Sequence, residues 1–253
     1  MLVDYHIHVL GHRGGCYTRE LLEEYFAAAR AQKIDEIGLT EHDEYAAGLD
    51  QKALEEALAS YPHLSVRLGL EISYWPGREK EIAGLAQKYN FDYLIGSVHH
   101  IENWMFDHPD FRAAYSEWDF ALLYQRYFGL VEKLASCGCF DVVGHFDLIK
   151  VFGYRPPGDV VSLAAPALMA IRKAGLAVEV NTAGLYKPCG EIYPAEDLLA
   201  RCYELNIPVT LGSDAHHPGE VGRDLVCVRD LLYRIGYRKI ATFSQRRRLL
   251  KHL

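Results

Sequence analysis

Two histidines stand two positions apart in Asp4-Tyr5-His6-Ile7-His8, and His12 follows after Val9-Leu10-Gly11. On an extended strand, residues i and i+2 point to one face, so both imidazoles of the pair reach one cation. Histidine and carboxylate recur down the chain in Thr40-Glu41-His42-Asp43, Gly69-Leu70-Glu71, Ser97-Val98-His99-His100, Gly144-His145-Phe146-Asp147 and Ser213-Asp214-Ala215-His216. Each run closes a short apolar stretch. Singly, each has an ordinary structural reading: Glu71 suits a rim salt bridge, and Asp214 suits a turn cap. Together, with almost no Lys or Arg among them, they need compensation when buried, and a metal ion supplies it.

His6, His8, His42, Glu71, His99, His145, Asp214 and His216 are too many donors for one tetrahedral zinc. They suit two or three ions, with the two oxygens of Glu71 able to bridge a pair. Multinuclear sites of this composition favour hydrolysis of phosphate esters, because the ions clamp phosphoryl oxygens and acidify a bound water. Ser97 and Ser213 read as strand-end packing residues rather than nucleophiles. Asn181 ends a further strand and offers a polar contact to substrate or water.

The elements that position these groups are seven strands with helices between them. Expected strands run from Leu2 to His6, Glu36 to Thr40, Val66 to Ile72, Tyr93 to His99, Asp141 to His145, Ala177 to Asn181 and Pro208 to Gly212. Thr18 caps a helix reaching Gln32, with Leu21, Leu22, Tyr25, Phe26 and Ala29 as its apolar stripe, and Asp50 caps a shorter one. Pro76 opens the next helix, and a long one spans about Trp118 to Ser136. Another runs from about Leu163 to Ala174 around Pro166, and Pro194 opens one with Leu198, Leu199, Cys202 and Tyr203 inward. The last helix is expected to start near Ser244, with Arg246-Arg247-Arg248 as a solvated face. Strands alternating with helices imply a parallel sheet. No glycine-rich phosphate loop follows the first strand, which argues against a dinucleotide-binding sheet. A distorted seven-stranded (β/α) barrel of the TIM type, one domain over residues 1–253, is the simplest account. In such a barrel all strand C-termini share one mouth, and the site lies there.

Composition narrows the function. The chain has 253 residues, a net charge of -7 and one short basic run, so no broad surface for nucleic acid is expected. No apolar run has the length of a membrane span, and no signal peptide is read at the N-terminus. Six scattered cysteines, Cys137-x-Cys139 among them, suit a reducing cytoplasm rather than a disulfide scaffold. Oligomeric state is left open.

The ordered set of runs above resembles the polymerase-and-histidinol-phosphatase (PHP) superfamily, from residue 4 to about 222. The resemblance implies a distorted seven-stranded barrel with three divalent ions (Zn, Mn or Fe). Asn181-Thr182-Ala183-Gly184-Leu185, Lys187-Pro188, Gly190-Glu191-Ile192-Tyr193-Pro194 and the Ser213 to His216 run with Pro218 are similar to the histidinol-phosphatase branch. That branch hydrolyses L-histidinol phosphate, a small-molecule phosphate ester. Carried over, one ion takes His6, His8, Glu71 and Asp214, a second takes His12, His42 and His216, and a third takes Glu71, His99 and His145. Asp214, His216 and Glu71 become the catalytic set. The family often has Arg where Tyr186 stands here, and Tyr lacks the planar fork that grips phosphate. Lys187, Lys150 and Arg155 are candidates to supply that charge. Asn181 and His100 are further substrate candidates, although strand alternation turns His100 away from His99. The aromatic loop from Trp104 to Phe111 either covers the ligand or is pinned by packing. Alternatives are a phosphatase for a nucleotide or sugar phosphate, an amide or lactone hydrolase, and a non-catalytic polymerase-associated domain.

Overall fold

The computed structural model describes residues 1–253. Seven parallel strands follow one another in chain order: β1 (Val3–Ile7), β2 (Glu36–His42), β3 (Ser65–Ser73), β4 (Tyr93–Ser97), β7 (Val142–Val143), β8 (Ala177–Asn181) and β9 (Val209–Gly212). A two-residue hairpin, β5 (His100–Ile101) with β6 (Trp104–Met105), interrupts the series after β4. The first and last strands meet only through the bridge Ile7–Ala215, where the His8 N–H donates to the Ala215 carbonyl at 2.8 Å and the Ala215 N–H donates to the His6 carbonyl at 3.2 Å. The ring is therefore a nearly closed barrel.

Helices α1 (Arg19–Ala31), α2 (Gln51–Leu58), α3 (Glu79–Lys88), α4 (Phe120–Ser136), α5 (Val160–Ala174), α6 (Glu196–Glu204) and α7 (Leu225–Ile235) lie in the connections and after β9. Thr18 Oγ1 accepts the Leu21 N–H at 3.2 Å and Asp50 Oδ1 accepts the Ala53 N–H at 3.0 Å, so both expected caps are present. Leu22, Tyr25, Phe26 and Ala29 of α1 are buried, while Leu21 sits at the margin. Pro76 does not open α3, because Gly77 intervenes with φ of 104° and the helix starts at Glu79. In α6, Tyr203 is exposed rather than inward.

Two strands end earlier than their hydrophobic runs suggest. β4 stops at Ser97, and β7 holds only Val142–Val143, because the chain turns at His145, whose φ is 21°. The segment after α7 is a larger departure. It is no helix but an antiparallel hairpin of β10 (Lys239–Ser244) and β11 (Arg247–His252). Gln245 and Arg246 both have positive φ, as the mirror-image turn of a two-residue hairpin requires. β10 is buried on both faces, so it shows no polar alternation to read. The arginine run is split: Arg246 pairs with Asp141 and donates to the Cys139 carbonyl at 2.8 Å, while Arg247 lies in the strand.

This hairpin closes the barrel floor. The Phe243 ring stacks on Tyr93 at 5.4 Å and meets Tyr5 edge-on at 5.8 Å. The Phe243 N–H donates to the Tyr5 hydroxyl at 3.2 Å, and the Tyr5 hydroxyl in turn bonds Glu36. The floor leaves the opposite end, where β1 to β9 finish, as the only mouth. The Trp104 to Phe111 segment is pinned by packing: Trp104 lies 4.8 Å from Tyr115 and 6.0 Å from Trp118, Phe106 is buried with its N–H donating to the His99 carbonyl at 3.2 Å, and Phe111 faces solvent.

Candidate metal centre at the barrel mouth

Glu71 is the hub. Its position next to the last residue of β3's buried stretch places it 1 % exposed at the barrel axis. Oε1 lies 2.9 Å from His145 Nε2 and 3.5 Å from His99 Nε2. Oε2 lies 2.9 Å from His42 Nδ1, 3.5 Å from His6 Nε2 and 3.6 Å from His8 Nε2. Strands β1, β2, β4 and β7 thus aim imidazoles at one carboxylate. Asp214, past β9, is the second anion, with Oδ1 3.3 Å from His8 Nε2 and 3.8 Å from His6 Nε2. Asn181 at the end of β8 donates from Nδ2 to Asp214 Oδ2 at 3.4 Å.

These donors gather in three groups whose ligand atoms lie within 4.8 Å of one another: His6, His8 and Glu71; Glu71, His99 and His145; and His8, His42 and His216. The third expected set is brought together, and so are His6, His8 and Glu71 of the first, with its fourth member Asp214 beside the two histidines but outside the group. The middle set differs. His8 faces both His6 and the His42–His216 pair, whose Nε2 atoms are 3.4 Å apart. His12 stands beside this group, not in it, stacking at 4.6 Å on His216 and 5.1 Å on His42 from an exposed loop. That loop turns at Gly11, with φ of 54°, so His12 approaches from the solvent side.

The electrostatics suit cations. Burial pushes the Glu71 carboxyl up, but the imidazoles of His6 and His99, with hydrogen bonds from His145 and His42, overcome this and hold it well below the usual carboxylate range. Asp214 is likewise held low against burial by His6, His8 and His216. Burial lowers His6, yet Glu179, Asp214 and Glu71 raise it well above the ordinary histidine value. His8 is driven well below it by burial and by His42. The Nε2 atoms of His6 and His8 are buried without a hydrogen-bond partner in the middle of the cluster, which is the condition of nitrogens that await a cation. The donor set of imidazoles and carboxylates fits divalent ions of the Zn, Mn and Fe type.

Several residues that orient these ligands were missed from sequence. Glu179 of β8 holds His6 Nδ1 at 2.6 Å and accepts the His145 N–H at 2.8 Å. A Cβ on Gly212 would lie 2.1 Å from Glu179 Oε1, so the glycine makes room for this carboxylate. Glu179 stands two before Asn181, and that parity was the available signal. Asp4 accepts from the Ser213 N–H at 2.8 Å, the Ser213 hydroxyl at 2.6 Å and the Gly222 N–H at 2.8 Å. Glu41 accepts the Val9 N–H at 2.7 Å and the Tyr17 hydroxyl at 3.1 Å, fixing the chain beyond His8. Such partners fix the ring orientation of metal-binding histidines.

The basic candidates fare unequally. Lys150 is fully buried and engaged by Asp147 at 2.8 Å, the Ile192 carbonyl at 2.7 Å and Glu191 at 3.4 Å. Its three N–H donors are matched by three oxygens, so it is a structural cation and not a phosphate ligand. Arg155 pairs with Glu191 at 2.6 Å, and Lys187 is exposed without an ion pair. His100 lies outside the three groups, 6.1 Å from the Trp75 ring. Arg223, which sequence reasoning passed over, rests its guanidinium 3.7 Å over the Tyr186 ring. Its Nη1 lies 3.4 Å from Glu220, whose other oxygen accepts the His216 N–H at 2.9 Å. A cation is therefore present beside Tyr186, brought from another loop.

The model of the PHP domain matches residues 4–183. The chain belongs to the PHP-domain family. It is 42% identical over 213 residues to a probable histidinol-phosphatase of Deinococcus radiodurans, covering 84% of this chain and 78% of that protein. It is 28% identical over 245 residues to the histidinol-phosphatase of Bacillus subtilis, covering 81% and 90%. In structure, the PHP chain is similar to the histidinol phosphate phosphatase of Lactococcus lactis, crystallised with zinc, L-histidinol and phosphate. The TM-score is 0.78 at 22% identity, with 98% of both chains covered. That likeness shows the seven-stranded α/β barrel. No helix of the PHP chain is long and apolar enough to cross a membrane.

Proposed function

We propose that residues 1–253 form one catalytic unit, a cytoplasmic metal-dependent phosphomonoesterase that hydrolyses L-histidinol phosphate to L-histidinol and phosphate. The observation that carries the chemistry is Glu71, a buried carboxylate ringed by His6, His8, His42, His99 and His145 with no Lys or Arg in contact. The choice of substrate rests on the relatives, above all the protein of Deinococcus radiodurans. Six unpaired cysteines agree with a reducing compartment.

Three divalent ions are assigned to the three groups. His6, His8, Glu71 and Asp214 would hold one. Glu71, His99 and His145 would hold the next. His42 and His216 would hold the last, with His8 and His12 nearby. When bound, such ions polarise phosphoryl oxygens and acidify water.

The side chains do the rest. Asp214 and His216 are the side chains assigned to pass a proton from the attacking water to the leaving alkoxide as the P–O ester bond breaks, a task that asks for a pKa near working pH. Against burial, the neighbouring histidines hold the Asp214 carboxyl low, which weakens it as a base. His216 donates its Nδ1–H to the Asp214 carbonyl at 3.0 Å, which leaves Nε2, facing His42, as the nitrogen that would take a cation or a proton. Asn181 steers Asp214 and offers its amide to the substrate. Arg223, Lys187 and Arg155 at the rim face the remaining phosphate charge.

The test is turnover of a panel with the metal content measured alongside: histidinol phosphate, an aryl phosphate, a nucleotide and a sugar phosphate. Histidinol phosphate is expected to have the highest kcat/KM. If it is no better than the aryl phosphate, the substrate assignment fails while the phosphatase assignment stands.

A further inference from the structure

Arg78 lies just before α3, is 7 % exposed, and belongs to none of the three ligand groups. Its Nη2 meets Asp43 Oδ2 at 2.6 Å, and its Nη1 donates to the Ser73 carbonyl. Its Nε donates to Glu81 at 3.1 Å, and the guanidinium plane lies 4.3 Å from the Trp75 ring. Asp43 directly follows His42. The other Asp43 oxygen accepts the Ser73 N–H at 3.1 Å. Ser73 lies two residues after Glu71 and ends β3, and its hydroxyl sits 2.7 Å from His99 Nδ1. One guanidinium thus ties the end of β2 to the end of β3, and through Ser73 to the first residue pair beyond β4.

The tautomer of His99 follows from this geometry. His99 Nε2 faces Glu71 at 3.5 Å and His145 Nε2 at 3.4 Å, so it must carry the lone pair when a cation is held there. Nδ1 then bears the hydrogen and donates to Ser73 Oγ. The hydroxyl works as an orienter only if its own backbone is fixed, and both polar groups of that backbone are held, the carbonyl by Arg78 and the N–H by Asp43.

We propose that Arg78 and Ser73 are positioning residues for the Glu71–His99–His145 ion, with Arg78 fixing Ser73 and Ser73 fixing the His99 ring. The inference rests on the reading of the mouth as a metal centre and is independent of the substrate. A planar fork suits this task because its donors reach Asp43, the Ser73 carbonyl and Glu81 in fixed directions while the plane lies against the Trp75 ring, a geometry the compact ammonium of Lys does not reproduce.

The experiment counts metal. Ser73→Ala, Arg78→Met and Arg78→Lys are loaded with Zn²⁺, dialysed against metal-free buffer and analysed for metal, and the metal-free proteins are melted in parallel. Ser73→Ala is expected to melt like the parent yet lose one ion selectively, its affinity falling ~10–100-fold as for other partners of ligating histidines. Arg78→Met is expected to lose the same ion, and Arg78→Lys to recover melting temperature without recovering the ion. Parent metal content in Ser73→Ala overturns the orienting role. Full metal recovery in Arg78→Lys overturns the need for a fork, and equal loss of all ions overturns the assignment to one group. Should Arg78→Met fail to fold, Ser73→Ala and Arg78→Lys decide. A parent that retains no metal breaks the metal-centre reading itself, an outcome separate from the others.

Discussion

The two ends of the barrel both bury acids, and they neutralise them differently. At the floor, Glu36 takes Arg67 at 3.0 Å, the Ser65 hydroxyl at 2.7 Å and the Tyr5 hydroxyl. Asp141 takes Arg246, and Asp92 accepts the Leu68 N–H at 3.1 Å and the Gln245 N–H at 2.9 Å. At the mouth, Glu71 and Asp214 have only imidazoles and an amide. A guanidinium is charged at every working pH, so the floor is finished as soon as it folds. An imidazole is charged only while it holds a proton, and that proton can be exchanged for a metal ion. Acids of the same type are made permanent at the floor and exchangeable at Glu71 and Asp214 by the choice of neighbour, while Asp43 behind the mouth is fixed by Arg78.

The widest separation between the ends is expected from Glu71→Gln. Removing the hub charge should strip the ions of two groups together, and should lower kcat by more than the ~10–100-fold that losing an outer partner costs. Elemental analysis showing unchanged metal removes Glu71 from its bridging role. Phe243→Ala at the floor should do the reverse, destabilising by about 3–5 kcal/mol while metal content per folded molecule stays at the parent value. Denaturant melts with metal counting check this, and metal loss at parent stability breaks the division between the ends.

A third expectation concerns pH. In the metal-free protein, burial depresses His99, but the Glu71 charge and hydrogen bond carry it up to about 9 from 6.5. Its folded value exceeds its unfolded one, so the stability it contributes is full below 6.5 and disappears as pH rises through about 9. Metal-free protein should therefore melt at falling temperatures from pH 6.5 to 9, while metal affinity rises over that window as the proton is displaced. Melts of stripped and loaded protein, with proton release measured on metal titration, test the sign. A flat profile for the stripped protein contradicts it. Smaller effects belong to the rim. Arg223→Ala should raise KM for the phosphate ester with metal content unchanged, and steady-state kinetics beside metal counting distinguish this from a structural loss. His12→Ala should cost less activity than His42→Ala, and equal losses would place His12 fully inside the middle group.

Much of the mouth was legible because ligands at strand ends are a one-dimensional signal. His6, His8, His42, Glu71, His99, His145, Asp214 and His216 each close an apolar run, and a parallel barrel sends all such ends to one side. Residues that act at a distance were not legible. Glu179 and Arg78 sit inside or beyond runs that read as ordinary strand and helix, and Arg223 meets Tyr186 across 37 positions only because two loops fold together. Lys150 reads as a surface cation in sequence because two of its three partners, Glu191 and the Ile192 carbonyl, lie on another loop. The closing hairpin, whose second strand lies where a helix from near Ser244 is expected, is illegible for a different reason. β10 is buried on both faces and β11 is mostly exposed, so neither carries the alternation of a half-buried strand.

The join between β1 and β9 has a further meaning. The backbones touch there through the single bridge Ile7–Ala215, and the side chains on either side are His6 and His8 from one edge and Asp214 and His216 from the other. A cation held by His8 and Asp214 would clasp the two ends of the sheet, fastening a loop that takes in most of the chain. Links across long loops restrict the unfolded chain most. Only a polypeptide that extends past residue 214 supplies both halves of that clasp.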